Sequence, residues 1–126
     1  MEREALSITS ESQFNEFLGT FTFRRSFEET EMLLSCLKDN HRIVLTHGDL
    51  YPRNIMVKGN KVTAIIEWES GGWYPEYWEF VKSSVPDKSY KGWWKHMVAI
   101  AGKYPMEWAV DLHLGKLMVC SPTPPI

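Results

Sequence analysis

The chain has 126 residues, 44% hydrophobic and 24% charged, with a net charge of −2. That composition fits one globular domain able to bury a core, and it excludes a disordered chain. Scattered lysines and arginines exclude a nucleic-acid surface, and no apolar run is long enough to span a bilayer. Cys36 and Cys120 have no secretory signal ahead of them and are read as reduced thiols, so a cytoplasmic protein is expected. Aromatic residues reach 13%, with six Trp, a type found mostly in cores, pockets and interfaces.

Residues 1–9 read as a loose start. Ser10 with Gln13 forms a capping-box pattern ahead of Phe14, Phe17 and Leu18, which predicts a helix from Glu11 to Leu18 ended by Gly19. The stretch 20–26 is ambiguous, since Phe21 and Phe23 alternate only briefly. Phe27 to Leu37 is predicted helical, with Leu33, Leu34 and Leu37 on one face and Glu28, Glu29 and Glu31 near the positive end. Asp39-Asn40-His41 breaks it, and Arg42–Leu45 is a short apolar run entering a loop.

Asn54–Val57 and Lys61–Trp68 flank Lys58-Gly59-Asn60, which predicts a β-hairpin. Ser70-Gly71-Gly72 reads as a flexible loop. Pro75-Glu76 is expected to open a helix reaching about Ser83. Ser84–Tyr90 reads as a loop, and Gly92–Gly102 and Met106–Val119 as two final helices, the second with Trp108 and Leu112 on its apolar face. The tail 121–126, with three prolines, is expected to fray. With no repeat and no linker, 1–126 is expected to be a single domain, mainly α with a small β-hairpin (α+β).

The most informative stretch runs from Leu45 to Trp78. It carries His47-Gly48-Asp49, then Asn54 five positions after Asp49, then Glu67 thirteen positions after Asn54. Kinase catalytic loops space an acid and an Asn in this way, with a metal-binding acid further along. With Gly48 in the middle of the triplet, Ile-Ile-Glu-Trp-Glu at 65–69 and Gly-Trp-Tyr-Pro-Glu-Tyr-Trp-Glu at 72–79, the chain resembles the aminoglycoside phosphotransferase and choline kinase-like family. It is most similar to fungal members, over about 14–119. The resemblance implies the C-terminal large lobe of a kinase-like fold. The 48 residues ahead of Asp49 hold no Gly-rich loop and read as helical, so the small ATP-binding lobe is expected to be missing.

The candidate catalytic residues are Asp49, Glu67 and His47. Asp49 suits a general base on a loop between ordered elements, against the plainer reading of a turn cap in a relic loop. By resemblance His47 is mainly structural. Asn54 is a magnesium ligand by resemblance, with Glu67 standing where the family has Asp. Glu is one methylene longer and Mg²⁺ demands near-octahedral geometry, so loss of metal is expected. Asn54 and Glu67 are ligands only if Mg²⁺ is retained. Glu76 is expected in a buried ion pair or at a helix start, with Arg53 pairing either it or Asp49. Trp68, Trp73, Tyr74, Tyr77 and Trp78 read mostly as core. The sharper reading makes Trp68, Trp73, Tyr74, Tyr51 and Asn54 a substrate-binding wall beside Asp49. His96 and His113 have no ligand spacing.

The function expected from these residues is a cofactor-free step on a small, largely apolar metabolite: isomerisation, cyclisation or a pericyclic reaction, with Asp49 as acid, base or orienting group. The first alternative is an Mg–ATP-dependent phosphotransferase that needs a second chain or a dimer. The second is a non-catalytic, pseudokinase-like binding protein. The partner is a small molecule, with neither nucleic acid nor membrane, and the face left by a missing small lobe suits a homodimer.

Overall fold

The computed structural model of the chain describes residues 8–19, 27–86 and 90–119. The ambiguous stretch 20–26, most of the loose start and the proline tail lie outside them. Helix α1 spans Glu11–Gly19 and α2 spans Phe27–Ser35. Strand β1 (Ile43–Thr46) leads through a loop and a single 3-10 turn at Pro52–Asn54 into β2 (Ile55–Lys58) and β3 (Lys61–Ile65). Strand β4 (Gly72–Pro75), α3 (Trp78–Ser83), α4 (Trp93–Ala101) and α5 (Pro105–Val119) complete the chain. The α+β class expected from the sequence is what the structure has.

Local chemistry explains the first helix. Ser10 Oγ accepts the Gln13 backbone N–H at 3.1 Å, while Gln13 Oε1 accepts from the Thr9 backbone N–H at 2.8 Å. The capping box therefore closes one residue earlier than the pattern alone predicts. The Glu11 carboxylate is buried and accepts the His41 backbone N–H at 2.6 Å, which ties the start of α1 to the chain entering β1.

The strands form two antiparallel pairs rather than the one hairpin expected. β2 pairs with β3, as predicted from the turn at Gly59-Asn60. β1 pairs with β4 in a register that sets Leu45 opposite Trp73. The stretch predicted as a loop followed by a helix start is instead this strand, and α3 begins at Trp78. The reason is long-range: Ile43–Thr46 offers a free ladder, and the Glu76 N–H continues the pairing to Arg42 O at 2.8 Å. Pro75 sits at the strand's end, where it is tolerated.

One core cluster gathers Ile8, Phe14, Tyr77 and Val81, with Tyr74, Trp78, Tyr104 and Trp108 packed against it. The other joins Val110 and Leu114 of α5 to Leu33, Leu34 and Leu37, so the leucine face predicted for the second helix packs half-buried on α5, with Leu37 just past the helix end at Ser35. Burying one such aliphatic or aromatic side chain contributes about 1.5–3 kcal/mol. The two clusters fix α3 and α5 as a platform beneath the loop between β1 and β2.

Candidate active site

The loop that follows β1 turns sharply at Gly48. Its φ of +86° is left-handed, and a Cβ there would lie 2.8 Å from Ser70 O, so only glycine fits without strain. The loop is fastened from below by α3. Glu79 Oε2 accepts the backbone N–H of His47 at 2.6 Å and of Gly48 at 3.2 Å. One helical turn on, Ser83 Oγ accepts the Leu50 N–H at 2.8 Å. Residues four apart on a helix share a face, so α3 presents both acceptors to the same loop.

His47 is buried and both its ring nitrogens are engaged. Nδ1 accepts the Asp49 N–H at 3.1 Å, which leaves Nε2–H to donate to Ile66 O at 2.7 Å. The ring thereby pins the loop to the segment after the hairpin and has no nitrogen left to meet a substrate. Its edge packs on Trp68 at 4.6 Å between centroids.

Asp49 is held by its own loop. Oδ1 accepts from Arg53 Nη2 at 2.7 Å, and Oδ2 from Asn54 Nδ2 at 3.0 Å. Its side chain stays 35% exposed, so it still reaches solvent. Of the partners left open for Arg53 by the sequence, Asp49 is the one it takes. Burial lowers the Arg53 pKa, but hydrogen bonds and charge attraction from Asp49 and Tyr90 outweigh it, and the net shift is upward. Glu76 instead pairs with Arg42 at 3.2 Å near the surface, which corrects the expected buried ion pair: the carboxylate that holds the loop, half-buried, is that of Glu79.

Asn54 is buried, and its Nδ2 donates to both the backbone oxygen and the carboxylate of Asp49. That orientation leaves Asn54 Oδ1 without a donor among the described residues. The Ile66 N–H donates to Asn54 O at 2.9 Å, which brings the residue before Glu67 against Asn54. Glu67 has φ +61°, a left-handed conformation costing a non-glycine residue on the order of 1–2 kcal/mol. Its side chain is exposed, with no hydrogen bond or ion pair among the described residues.

The aromatic residues divide. Trp68, 47% exposed, donates Nε1–H to Ile65 O at 2.7 Å and stays beside His47. Trp73 is 60% exposed on the β1–β4 pair. Tyr74 turns into the core, edge-on to Phe14 at 5.7 Å. Tyr51 lies buried under the loop, where its hydroxyl accepts the Val85 N–H at 3.1 Å and donates to Lys82 O at 3.2 Å. The structure thus brings together His47, Asp49, Asn54 and the segment Ile66–Trp68, but not a wall of Tyr51, Trp73 and Tyr74. Sequence reasoning missed Glu79 and Ser83, whose only local signal is their i, i+4 spacing in α3.

Among the described residues no three His, Cys, Asp or Glu side chains converge as a metal site. Asn54 Oδ1 and Glu67 are nonetheless two hard oxygen donors on adjoining segments. Mg²⁺ is commonly held by one or two protein oxygens, with waters and substrate phosphates completing the shell, and these two residues would be the ones to hold it.

An acid on a tight loop, an amide that grips it and a second acid in a strained turn form the kind of set used by phosphoryl-transfer proteins. A family model described as "Phosphotransferase enzyme family" matches residues 10–99. The chain belongs to that family. No curated protein and no solved structure matches it.

Proposed function

We propose that the chain is the acceptor-side half of a magnesium–nucleotide-dependent phosphotransferase acting on a small molecule. The observation that carries this reading is that Asn54 Oδ1 and Glu67 have no partner among the described residues and lie on segments joined by the Ile66 N–H to Asn54 O bond, with the Asp49 carboxylate held by Arg53 and Asn54. Asp49 orients the acceptor hydroxyl and takes its proton. Arg53 and Asn54 keep that carboxylate in one rotamer, so little reorganisation accompanies binding. Asn54 and Glu67 would hold Mg²⁺, which when bound supplies charge neutralisation to phosphate oxygens. The left-handed backbone at Glu67 is strain of the type that collects at ligand clamps.

The nucleotide cradle comes, on this reading, from residues other than those described, on the same polypeptide or on a second chain, a dimer mate included. Among the described residues, eight of the thirteen large exposed apolar side chains lie between Leu45 and Trp73, the stretch that carries Asp49 and Glu67. An apolar face of that kind marks an interaction surface. A cofactor-free isomerisation or cyclisation draws less support, because Tyr74 turns into the core and the buried Tyr51 spends its hydroxyl on Lys82 O and the Val85 N–H.

The test is a thermal-shift titration of the chain with Mg²⁺ and with Mg–ATP. A ligand at a hundred times its dissociation constant adds about 2.7 kcal/mol of stability. The expected result is a shift that disappears in Asn54→Ala and in Glu67→Ala. Absence of any shift at millimolar Mg²⁺ or Mg–ATP would overturn the cation role given to Asn54 and Glu67, on which the proposal stands, and favour the non-catalytic binding protein.

A further inference from the structure

On the flank of the loop, where the ends of α3, α4 and α5 meet, lies a cavity of 910 Å³. Small-molecule pockets run from roughly 300 to 1,000 Å³, so this one would take a polycyclic ligand. Trp93, Trp94 and Trp108 supply aromatic walls, and Lys91 and Lys103 supply charge. Ser84 also lines it; the residue is only 5% exposed and its hydroxyl has no hydrogen-bond partner among the described residues.

Among the described residues the charge of the lining is one-sided, with two lysines and no acid. The acids of the adjoining α5 do not offset them: Glu107 is buried, and Asp111 is paired with Lys82 at 3.1 Å. Both lysines are exposed and neither has a carboxylate partner among the described residues. Planar apolar walls beside cations that have no carboxylate partner among the described residues suit a planar anion, the rings stacking and the lysines meeting its charge.

The cavity also shares its walls with the candidate active site. Trp93 Nε1–H donates to Leu50 O at 2.9 Å, one residue along from Asp49. Tyr90, another lining residue, stacks on Tyr51 with centroids 5.8 Å apart. Arg53 lies over that same Tyr51 ring at 4.8 Å while holding Asp49. A ligand against Trp93 therefore lies next to the loop that carries the acid.

We propose that this cavity binds an aromatic carboxylate, its ring system against the tryptophans and its carboxylate on Lys91 and Lys103, and that the acceptor is a hydroxylated member of this class. The second half rests on the phosphotransferase reading; the binding itself does not.

The test is calorimetric titration of the full chain with 6-hydroxy-2-naphthoate, in the absence of magnesium and nucleotide. Saturable binding is expected, with 2-naphthylmethanol weaker by about tenfold, the size of effect two partly screened ion pairs give. The double variant Lys91→Glu/Lys103→Glu, both at exposed positions, should lose binding to the same degree, and Trp94→Ala should weaken it. Equal or tighter binding of 2-naphthylmethylammonium, indifference to the lysine changes, or no binding heat would each overturn the assignment. Because no nucleotide is present, failure here leaves the Mg–ATP shift intact. A missing Mg–ATP shift leaves this binding standing, but removes the ligand's role as acceptor.

Discussion

The Tyr77 ring fills the centre of the first core cluster, yet its hydroxyl is buried with no hydrogen-bond partner among the described residues. An orphaned buried hydroxyl costs about 1–3 kcal/mol, and replacing it with an apolar group of the same shape removes that cost. Tyr77→Phe should therefore raise stability by about 1 kcal/mol in urea denaturation at neutral pH. A loss instead would mean that the hydroxyl has a partner, such as a trapped water. The same residue predicts alkaline behaviour. Burial, with the nearby charges of Glu11, Glu107 and Asp111, pushes its pKa well above the ordinary 10.0. An acid whose folded pKa is raised favours the folded state below the unfolded value and loses that contribution as pH climbs past it. The stability gain of the Phe variant should grow above pH 10. At this scale the sequence was partly legible. Fixed spacing located His47, Asp49, Asn54 and Glu67, but left Arg53 open between Glu76 and Asp49, and only the structure pairs it with Asp49. Glu79 was not legible, because its partners lie 32 and 31 residues away and no local pattern links them. Nor does composition say which aromatic faces inward: Tyr74 and Trp73 are neighbours on a strand and alternate sides.

Helix α3 is short, but it holds the loop on one side and meets α5 on the other. Lys82 Nζ lies 3.1 Å from Asp111 Oδ2 and 4.4 Å from the Trp78 ring centroid. Burial raises the Asp111 pKa above 3.8, and the attraction of Lys82 only partly offsets this. The sign follows from linkage: the folded state binds the Asp111 proton more tightly, so this contribution to stability is present below about pH 3.8 and is lost as pH rises through the raised folded value. Relative to Asp111→Asn, the wild-type chain should lose stability as pH rises above about 3.8, measured by urea midpoints. A gap that moved the other way would show that Lys82 dominates the site. Elements with their own periodicity and caps, α1, α2, α4 and α5, could be read from the sequence to within a few residues. Strand β4 could not, because its four residues carry no alternation of their own and exist as a strand only by pairing with β1 about thirty residues earlier.

Taken as a whole, the molecule divides into a packed platform and a bare projection. Every residue of β3 is exposed, as are Met56, Val57 and Lys58 of β2. A two-stranded hairpin is marginal by itself, so this one depends on its base. That base is the Ile66 N–H to Asn54 O bond and the His47 Nε2–H to Ile66 O bond, both next to the candidate site. Local stability should therefore fall steeply along the hairpin. Amide hydrogen exchange should be fast for residues 57–62, slower at Ile66 and slowest in α3 and the buried face of α5. If Asn54 and Glu67 hold the cation of a nucleotide, Mg–ATP should slow exchange at Ile66 and Glu67 while leaving α5 unchanged, since ligand binding protects what it clamps and not what is already packed. Uniform protection over hairpin and platform without nucleotide would instead mean that another surface already covers β2 and β3. Repeating the exchange at tenfold lower protein concentration then separates a second copy of the chain, whose protection fades on dilution, from packing within one chain, whose protection does not.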